Sequence, residues 1–295
     1  MTVKTASLVL GSGGARGLAH IGVIDCIKNM GLDIRCVAGS SMGALIGGIY
    51  AAGKLDVYRN WVCALTRGDV LRLLDFSFAW SGLFKGERII GLLRQLIGEC
   101  NIEDLPIPYT AVATDLATGR EFWFTRGPLF NAIRASMALP TIFTPYEHEG
   151  RKLVDGGLSN PVPIAPTRSI LSDITIAVDL GGRQETAIET AACPPEPENT
   201  FEQYRRAVVK FVNELHPTAS DNAPRTLGLF EVVNSALEMM QGTVARLKLA
   251  ADMPDALIEI PKNACGTMDF YRAREMIALG YRKASEVFAE RSDSQ

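Results

Sequence analysis

One serine stands in a sequence pattern that suits nucleophilic chemistry. Residues 39–43 read Gly-Ser-Ser-Met-Gly, and only Ser41 has glycine both two positions before it and two positions after it. An apolar run precedes the pattern and a small-residue helical pattern follows it, which predicts the sharp strand-to-helix turn called a nucleophile elbow. The unpaired N–H groups that open the following helix would favour an oxyanion there. The plainer alternative is a serine that only caps the helix.

A second glycine-rich turn, Gly11-Ser12-Gly13-Gly14-Ala15-Arg16-Gly17, comes earlier in the chain. The spacing Gly11-x-Gly13-x-x-x-Gly17 is a poor match to a dinucleotide-binding fingerprint, so a nucleotide-binding protein is the weakest of the alternatives. Gly13 and Gly14 would let consecutive backbone N–H groups converge on one anion without obstruction by side chains. Arg16 could help to hold that anion, or it could be solvated on the first helical turn. The turn therefore predicts an anion cradle that faces the elbow, with a purely structural turn as the alternative.

Asp155 stands at the end of a predicted strand, in a pattern that can project a carboxylate into a cleft. It follows a predicted hairpin over 146–154, and Gly156 and Gly157 come directly after it. Because nothing bulky follows the acid, its side chain could enter an open cleft. An ordinary turn aspartate is the alternative, since aspartate and glycine are common in turns.

A Ser-acid-His triad is the rival arrangement. It would combine the same serine and an acid such as Asp155 or Asp179 with His216. His216 falls in a polar, proline-containing stretch, which is a poor scaffold for a base that needs accurate placement. The other histidines, His20 and His148, are predicted to be structural.

Apolar periodicity predicts the elements that must bring these residues together. Strands are expected at 6–10, 34–38, 174–180 and 256–260, with hairpins over 108–125 and 146–154. Helices are expected at 18–30, 42–50, 128–138, 161–171, 229–250 and 270–289, and 57–98 is mostly helical. The alternation of strands and helices predicts the α/β class, as a three-layer α/β/α fold with a central, mainly parallel sheet.

Composition divides the chain into three parts. Residues 1–182 are predicted to form a catalytic core, and residues 183–225, rich in Pro, Glu, Thr and Ala, a mobile excursion or linker. Residues 226–295 are predicted to add a helix, a strand and a helix that complete or flank the core. The aromatic stretch 76–84 is interpreted as core, a lid or a surface that dips into lipid.

Charge and cysteine usage exclude several classes of protein. With 295 residues and a net charge of −3, the chain has no basic field for nucleic acid. The six cysteines and three histidines show no metal-type spacing, and the cysteines are predicted to be reduced thiols. No signal sequence or membrane span is predicted. We therefore expect a cytoplasmic protein whose contact with a membrane would be peripheral.

Three of these motifs, in this order, resemble the patatin-like phospholipase family, particularly its small single-domain bacterial members. They are the glycine loop 13–17, the elbow 39–43 and Asp155-Gly156-Gly157, and the likeness covers about residues 6–180. The family commonly carries glycine where Ser12 stands, although serine still offers its backbone N–H. Nothing functional is carried onto the residues after 226.

The resemblance implies a patatin-like fold and a hydrolase of acyl esters, usually lipids, with a Ser–Asp dyad and no histidine. We expect neither a cofactor nor a metal. It implies that Ser41 is the nucleophile and Asp155 the base. The oxyanion donors would be the N–H groups of Gly13, Gly14 and Met42. Arg16 matches the basic residue of the family's loop, and the motif glycines are Gly11, Gly17, Gly39, Gly43, Gly156 and Gly157.

The expected partner is a lipid or acyl-ester substrate, and its head group and chain length stay open, as does the oligomeric state. A different class of function stays open as well. The chain could be a catalytically weak module of the same fold that binds a lipid or a partner. Intact Ser41 and Asp155 favour the enzyme.

Overall fold

The strands lie close to where the apolar runs predict them. The computed structural model describes residues 4–70, 87–140, 142–186 and 227–293. Within those ranges the strands are β1 (Thr5–Leu10), β2 (Asp33–Ser40), β3 (Tyr109–Asp115), β4 (Glu121–Phe124), β5 (Tyr146–His148), β6 (Arg151–Asp155), β7 (Ile174–Gly182) and β8 (Ala256–Pro261). Both predicted hairpins are present, since β3 pairs with β4 and β5 pairs with β6 in antiparallel fashion.

The helices follow the predicted apolar stripes. They are α1 (Ala19–Asn29), α2 (Met42–Ala51), α3 (Leu55–Cys63), α4 (Glu87–Ile97), α5 (Leu129–Ser136), α6 (Leu227–Ala251) and α7 (Ala273–Asp293). Short 3-10 turns precede α1 and α7, over Gly14–Leu18 and Phe270–Arg272. Both helices therefore begin slightly later than the periodicity predicts.

The described strands join one mixed sheet with helices on both sides. Hydrogen-bonded neighbours follow the path β5-β6-β3-β2-β1-β7-β8, and β4 also pairs with β3. The run from β3 to β8 is parallel, whereas β4, β5 and β6 are joined by antiparallel pairs. Every residue of β1 after Thr5 is buried, as expected for a strand that is covered on both faces. The predicted three-layer α/β architecture is confirmed.

The strand β3 explains how two distant segments of the chain meet. β2 runs beside β3 as far as the pair of Ser40 with Val112, and the next residue of β3, Ala113, pairs with Asp155 of β6. Both neighbours lie along one edge of β3, because β4 occupies the other edge over most of its length. β6 therefore continues along the edge that β2 leaves at the elbow, which brings Asp155 beside Ser41.

The helix predicted over 161–171 is wrong. That stretch forms a loop and a 3-10 helix, Ala165–Ser169, with a hydrogen bond from N of Thr167 to O of Ile164 at 2.9 Å. The prolines in this stretch supply no N–H donor, and each disfavours the α conformation in the residue before it. The apolar spacing is helical, but the backbone cannot form the α-helical hydrogen bonds.

The C-terminal segment packs back onto the sheet. β8 extends the sheet beside β7, and α7 packs against α1. A Cβ atom on Gly22 would lie 1.9 Å from O of Ile277, and one on Gly280 would lie 2.0 Å from O of Ala19. The two glycines therefore let the helices approach each other closely.

Several predictions fall on residues outside the described ranges. They are the aromatic stretch 76–84 and most of the excursion 183–225, with Cys193 and His216. The division of the chain into three parts stays a prediction. Within the described ranges, no helix combines the length and the apolar character that a membrane crossing needs, and the cysteines there are free thiols.

Candidate active site

Ser41 lies in a tight turn between β2 and α2. Its backbone has φ 56 and ψ −120, a conformation that a residue other than glycine rarely adopts and that the surrounding structure must hold. A Cβ atom on Gly39 would lie 2.3 Å from O of Gly43, and one on Gly43 would lie 1.9 Å from O of Leu10. Only glycine fits these two positions, and the structure has the strand-turn-helix arrangement that the pattern predicts.

Ser136, at the end of α5, supports this turn. Its Oγ accepts a hydrogen bond from N of Ser41 at 2.9 Å and donates one to O of Val112 at 2.6 Å. The bond orients the peptide of the nucleophile and occupies its N–H, so Ser41 itself contributes no backbone donor to a ligand. The only sequence signal for this contact is the small residues at positions 135, 136 and 138.

Ser41 and Asp155 are in direct contact. Oγ of Ser41 donates a hydrogen bond to Oδ2 of Asp155 at 2.6 Å, a length typical of a hydroxyl that donates to a carboxylate. Oδ1 accepts a second bond from N of Gly157 at 2.8 Å, which fixes the orientation of the carboxylate. A Cβ atom on Gly156 would lie 2.0 Å from O of Val112, so this turn passes directly over β3.

Burial changes the acidity of Asp155. The residue is 1% exposed, and the loss of water raises its pKa to about 6, although the hydrogen bonds from Ser41 and Gly157 lower it. The carboxylate is still mainly ionised at neutral pH. It is a stronger base than an ordinary aspartate by about two pKa units.

The glycine loop lies against the elbow. A Cβ atom on Gly17 would lie 2.5 Å from Cβ of Met42, and Gly13, Gly14 and Met42 line the same cavity as Ser41. In the described part of the chain, no residue accepts a hydrogen bond from the backbone N–H of Gly13, Gly14 or Met42. These groups can therefore bind an oxyanion beside the serine, and that role stays a prediction.

Other N–H groups of the loop are bound elsewhere. N of Gly11 donates to O of Val178 at 3.0 Å, N of Ser12 to O of Pro161 at 2.9 Å, and N of Ala15 to O of Thr267 at 2.8 Å. Gly14 has a φ of +57, in the region that favours glycine. The loop is therefore fixed on both sides of the two peptide groups that face the cavity.

Arg16 is buried at 6% exposure. Its guanidinium donates to O of Gly13 at 3.3 Å, to O of Lys262 at 2.6 Å and to Oε1 of Glu238 at 3.0 Å. The alternative of a solvated arginine is therefore wrong. The protein's own oxygens engage the guanidinium, and Arg16 also lines the cavity beside Ser41. A role of Arg16 in holding an anion stays a prediction.

A largely apolar cavity extends from Ser41. Side chains of α2, α3, α4 and the loops after α3 and α5 form most of it, among them Leu45, Tyr58, Trp61, Val62, Leu65, Leu92, Leu93, Leu139, Ile142 and Phe143. The C-terminal segment supplies a further wall through Asn234, Leu237, Glu238, Gln241, Thr267, Met268 and Phe270. The sequence assigns no function to residues after 226, and no motif there marks these side chains.

The described histidines, His20 and His148, do not line this cavity. Nε2 of His20 is 2.9 Å from O of Gly11, and complete burial lowers the pKa of this imidazole to about 4, so the neutral ring supports the start of the glycine loop. His148 packs against aromatic side chains of β4 and β5. Among the described residues, no group of three or more His, Cys, Asp and Glu side chains could hold a metal ion.

Comparison with known families matches residues 8–168 to the family described as patatin-like phospholipase. An uncharacterized NTE family protein of Mycobacterium tuberculosis is 40% identical over 328 residues, which cover 95% of this chain and 90% of that protein. Lysophospholipase NTE1 of Coccidioides immitis is 29% identical over 295 residues, which cover 96% of this chain and 17% of that protein.

The chain is also similar to one domain of a longer protein and to one solved structure. Patatin-like phospholipase domain-containing protein 6 of Mus musculus is 33% identical over 198 residues, which cover 64% of this chain and 14% of that protein. Among solved structures, VipD from Legionella pneumophila has a TM-score of 0.55 at 15% identity, over 98% of this chain and 67% of that one. At that identity the likeness concerns the fold alone.

Proposed function

Because the chain belongs to the patatin-like phospholipase family, we propose that it is a serine hydrolase that cleaves carboxylic esters of lipids through a Ser41–Asp155 dyad. The observation that carries the proposal is the 2.6 Å hydrogen bond from Oγ of Ser41 to Oδ2 of Asp155. Both side chains line the apolar cavity. The direct contact supports a base that acts on the serine without an intervening histidine.

In the first step, Oγ of Ser41 attacks the carbonyl carbon of the ester while Asp155 accepts the hydroxyl proton. A carboxylate with an ordinary pKa is a feeble acceptor for this proton. The pKa of about 6 that burial gives Asp155 brings the base closer to the value that general-base catalysis needs near neutral pH.

The carbonyl oxygen becomes negatively charged in the tetrahedral intermediate. The N–H groups of Gly13, Gly14 and Met42 are its donors, and the N-terminus of α2 adds the positive end of the helix dipole. As the intermediate collapses, the bond between the carbonyl carbon and the alkoxy oxygen breaks. Asp155 returns its proton to the departing alcohol.

Hydrolysis of the acyl-enzyme repeats these steps with water. Asp155 takes a proton from the water molecule as its oxygen attacks the acyl carbon, and the same N–H groups hold the second oxyanion. The bond to Oγ then breaks, and Ser41 recovers the proton from Asp155. The products are a free fatty acid and the alcohol part of the lipid.

The cavity supports an acyl chain as the group that is bound. Its walls are mainly aliphatic and aromatic side chains of α2, α3, α4, α6 and the adjoining loops, and such walls favour a hydrocarbon chain over a polar acyl group. Two relatives are named as a lysophospholipase and as a patatin-like phospholipase domain-containing protein. These names support lipid esters as the substrate class.

The activity is expected to require the ionised form of Asp155. Because burial raises the pKa of Asp155 to about 6, kcat/KM should be level at neutral pH and should fall as the pH drops through 6, by about tenfold per pH unit. An uncharged ester should be used, so that only the enzyme titrates. An inflection near the ordinary aspartate value of 3.8 would contradict the role of the buried carboxylate.

A fluorophosphonate probe that resembles an acyl ester tests the proposal. We expect one covalent adduct on Ser41, found by peptide mass analysis, and no adduct in Ser41→Ala. Ser285→Ala, which changes a serine of α7 that does not line the cavity, should label as wild type does. A panel of lipid esters then identifies the head group. Absence of labelling under every lipid condition would instead favour the lipid- or partner-binding module.

A further inference from the structure

The C-terminal segment anchors the glycine loop. Arg16 of the loop donates to Oε1 of Glu238 on α6 at 3.0 Å and to O of Lys262, after β8, at 2.6 Å. The same Oε1 accepts a bond from Oγ1 of Thr267 at 2.6 Å, and O of Thr267 accepts one from N of Ala15 at 2.8 Å. We call Arg16, Glu238 and Thr267 the loop clamp.

The clamp holds one peptide group of the loop in a fixed direction. Nε of Arg16 donates to O of Gly13 at 3.3 Å. The peptide is trans, so the C=O of Gly13 and the N–H of Gly14 point in opposite directions. When the carbonyl is held toward Arg16, the N–H of Gly14 is directed away from Arg16. A rotation of this peptide would remove one of the proposed oxyanion donors.

We propose that Glu238 is a positioning residue for catalysis, which directs the N–H of Gly14 toward the oxyanion by holding Arg16. The inference rests on the proposed hydrolase function. Glu238 lies outside the three motifs and outside the matched family segment, residues 8–168. Sequence motifs do not reveal its role, because α6 reaches the loop only in the folded protein.

Loss of the Glu238 carboxylate would release both of its partners. The side chain of Arg16 is 8% exposed, and a buried guanidinium that loses an acceptor moves toward another one. Asp179 is a carboxylate of this kind. Burial raises its pKa, and a hydrogen bond from Gly181 and the charges of Arg16 and Arg246 oppose the rise, so a freed guanidinium would be drawn toward it. A move of Arg16 would free the carbonyl of Gly13.

Glu238→Ala is expected to lower kcat by about tenfold or more, toward the hundred- to thousandfold loss that follows removal of a whole oxyanion donor. KM should stay within about threefold of wild type, because the affected interaction is made in the transition state. Glu238→Gln should recover most of kcat, since its amide oxygen can still accept from Arg16 and Thr267. A residue that only contacted substrate would change KM instead.

Lys248→Met is a matched control on the same helix. Lys248 lies about 15 Å along α6 from Glu238 and pairs with Glu121 at 2.7 Å, and neither Lys248 nor Glu121 lines the cavity. Its kcat and KM should equal those of wild type. A loss in Lys248→Met as large as that in Glu238→Ala would show that α6 acts only as a support for the fold, and would overturn the inference.

A double-mutant cycle tests the route through Arg16. In the Arg16→Met background, Glu238→Ala should cause no further loss, whereas independent effects would add. If Arg16→Met does not fold, Thr267→Val is used in its place. Valine removes the hydroxyl that donates to Glu238 and keeps the backbone oxygen that accepts from Ala15. For Thr267→Val we expect a smaller fall in kcat than for Glu238→Ala, at unchanged KM. Additive losses in the double variant, or a wild-type kcat in Glu238→Ala, would overturn the positioning role of Glu238 and leave the proposed hydrolase function intact. If the wild-type protein shows no turnover that depends on Ser41, the proposed function fails as well.

Discussion

Replacement of Asp155 by asparagine is expected to lower turnover by about 10³- to 10⁴-fold, the range for loss of an essential base. Asparagine has nearly the same size, and its amide oxygen can still accept the bond that N of Gly157 makes at 2.8 Å. It cannot take the proton of Ser41. The substitution therefore removes the base and leaves the elbow and the cavity in place.

The same substitution is expected to stabilise the fold at neutral pH. The folded pKa of Asp155 is raised from 3.8 to about 6, so the unfolded chain releases the proton more readily than the folded one. Stability contributed by this group is therefore lost as the pH rises from about 4 to about 6, and the loss is complete above that window. Two pKa units correspond to about 3 kcal/mol, so Asp155→Asn should raise the free energy of unfolding by up to that amount near neutral pH.

Both effects are measured on one preparation. Steady-state kinetics measures the loss of turnover, and Ser41→Ala gives the background activity. Chemical denaturation near neutral pH and near pH 4 measures the gain in the free energy of unfolding, which should vanish at the lower pH. Because an Asn-Gly sequence can deamidate to aspartate, intact mass must confirm the amide. Retention of more than about a tenth of the activity would exclude Asp155 as the base. His216→Ala, expected to keep most activity, then tests the rival triad.

Gly14→Ala is expected to lower kcat by about 100- to 1000-fold, the cost of one oxyanion donor. Gly14 has a φ of +57, and a Cβ atom on it would lie 2.6 Å from both Cγ2 and O of Thr267. The methyl group of Thr267 can move, but its carbonyl oxygen is held by N of Ala15, so the loop must shift. KM should change little, because the apolar walls stay as they are.

Gly53→Ala is the matched control for backbone strain. Gly53 also has a positive φ, of +68, but a Cβ atom on it would meet nothing within 4 Å, and it does not line the cavity. It should lose some stability and no turnover. Single-turnover acylation separates the chemical step from product release. A rate for Gly14→Ala within about threefold of wild type would contradict the expectation that a shift of the loop removes an oxyanion donor.

The sequence alone was sufficient for the local framework of the site. Gly39 and Gly43 predict the elbow around Ser41 because a side chain at either position would clash. At Gly39 the clash is with Gly43, four residues away, and at Gly43 it is with Leu10 of the neighbouring strand β1. Apolar runs and turn residues predict both hairpins, since the interactions that form them are local. The helix expected over 161–171 failed because its prolines outweigh its apolar spacing.

Only the tertiary structure decided which distant groups meet. Spacing along the chain does not bring Asp155 to Ser41. The contact arises because β6 continues along the edge of β3 that β2 leaves. From the sequence, the Ser41–Asp155 dyad was implied only by a family resemblance. Ser136, Glu238 and Thr267 carry no motif, since their partners come from other elements. The raised pKa of Asp155 has the same origin, because desolvation depends on every atom that the fold packs around a carboxylate, and those atoms come from segments throughout the chain.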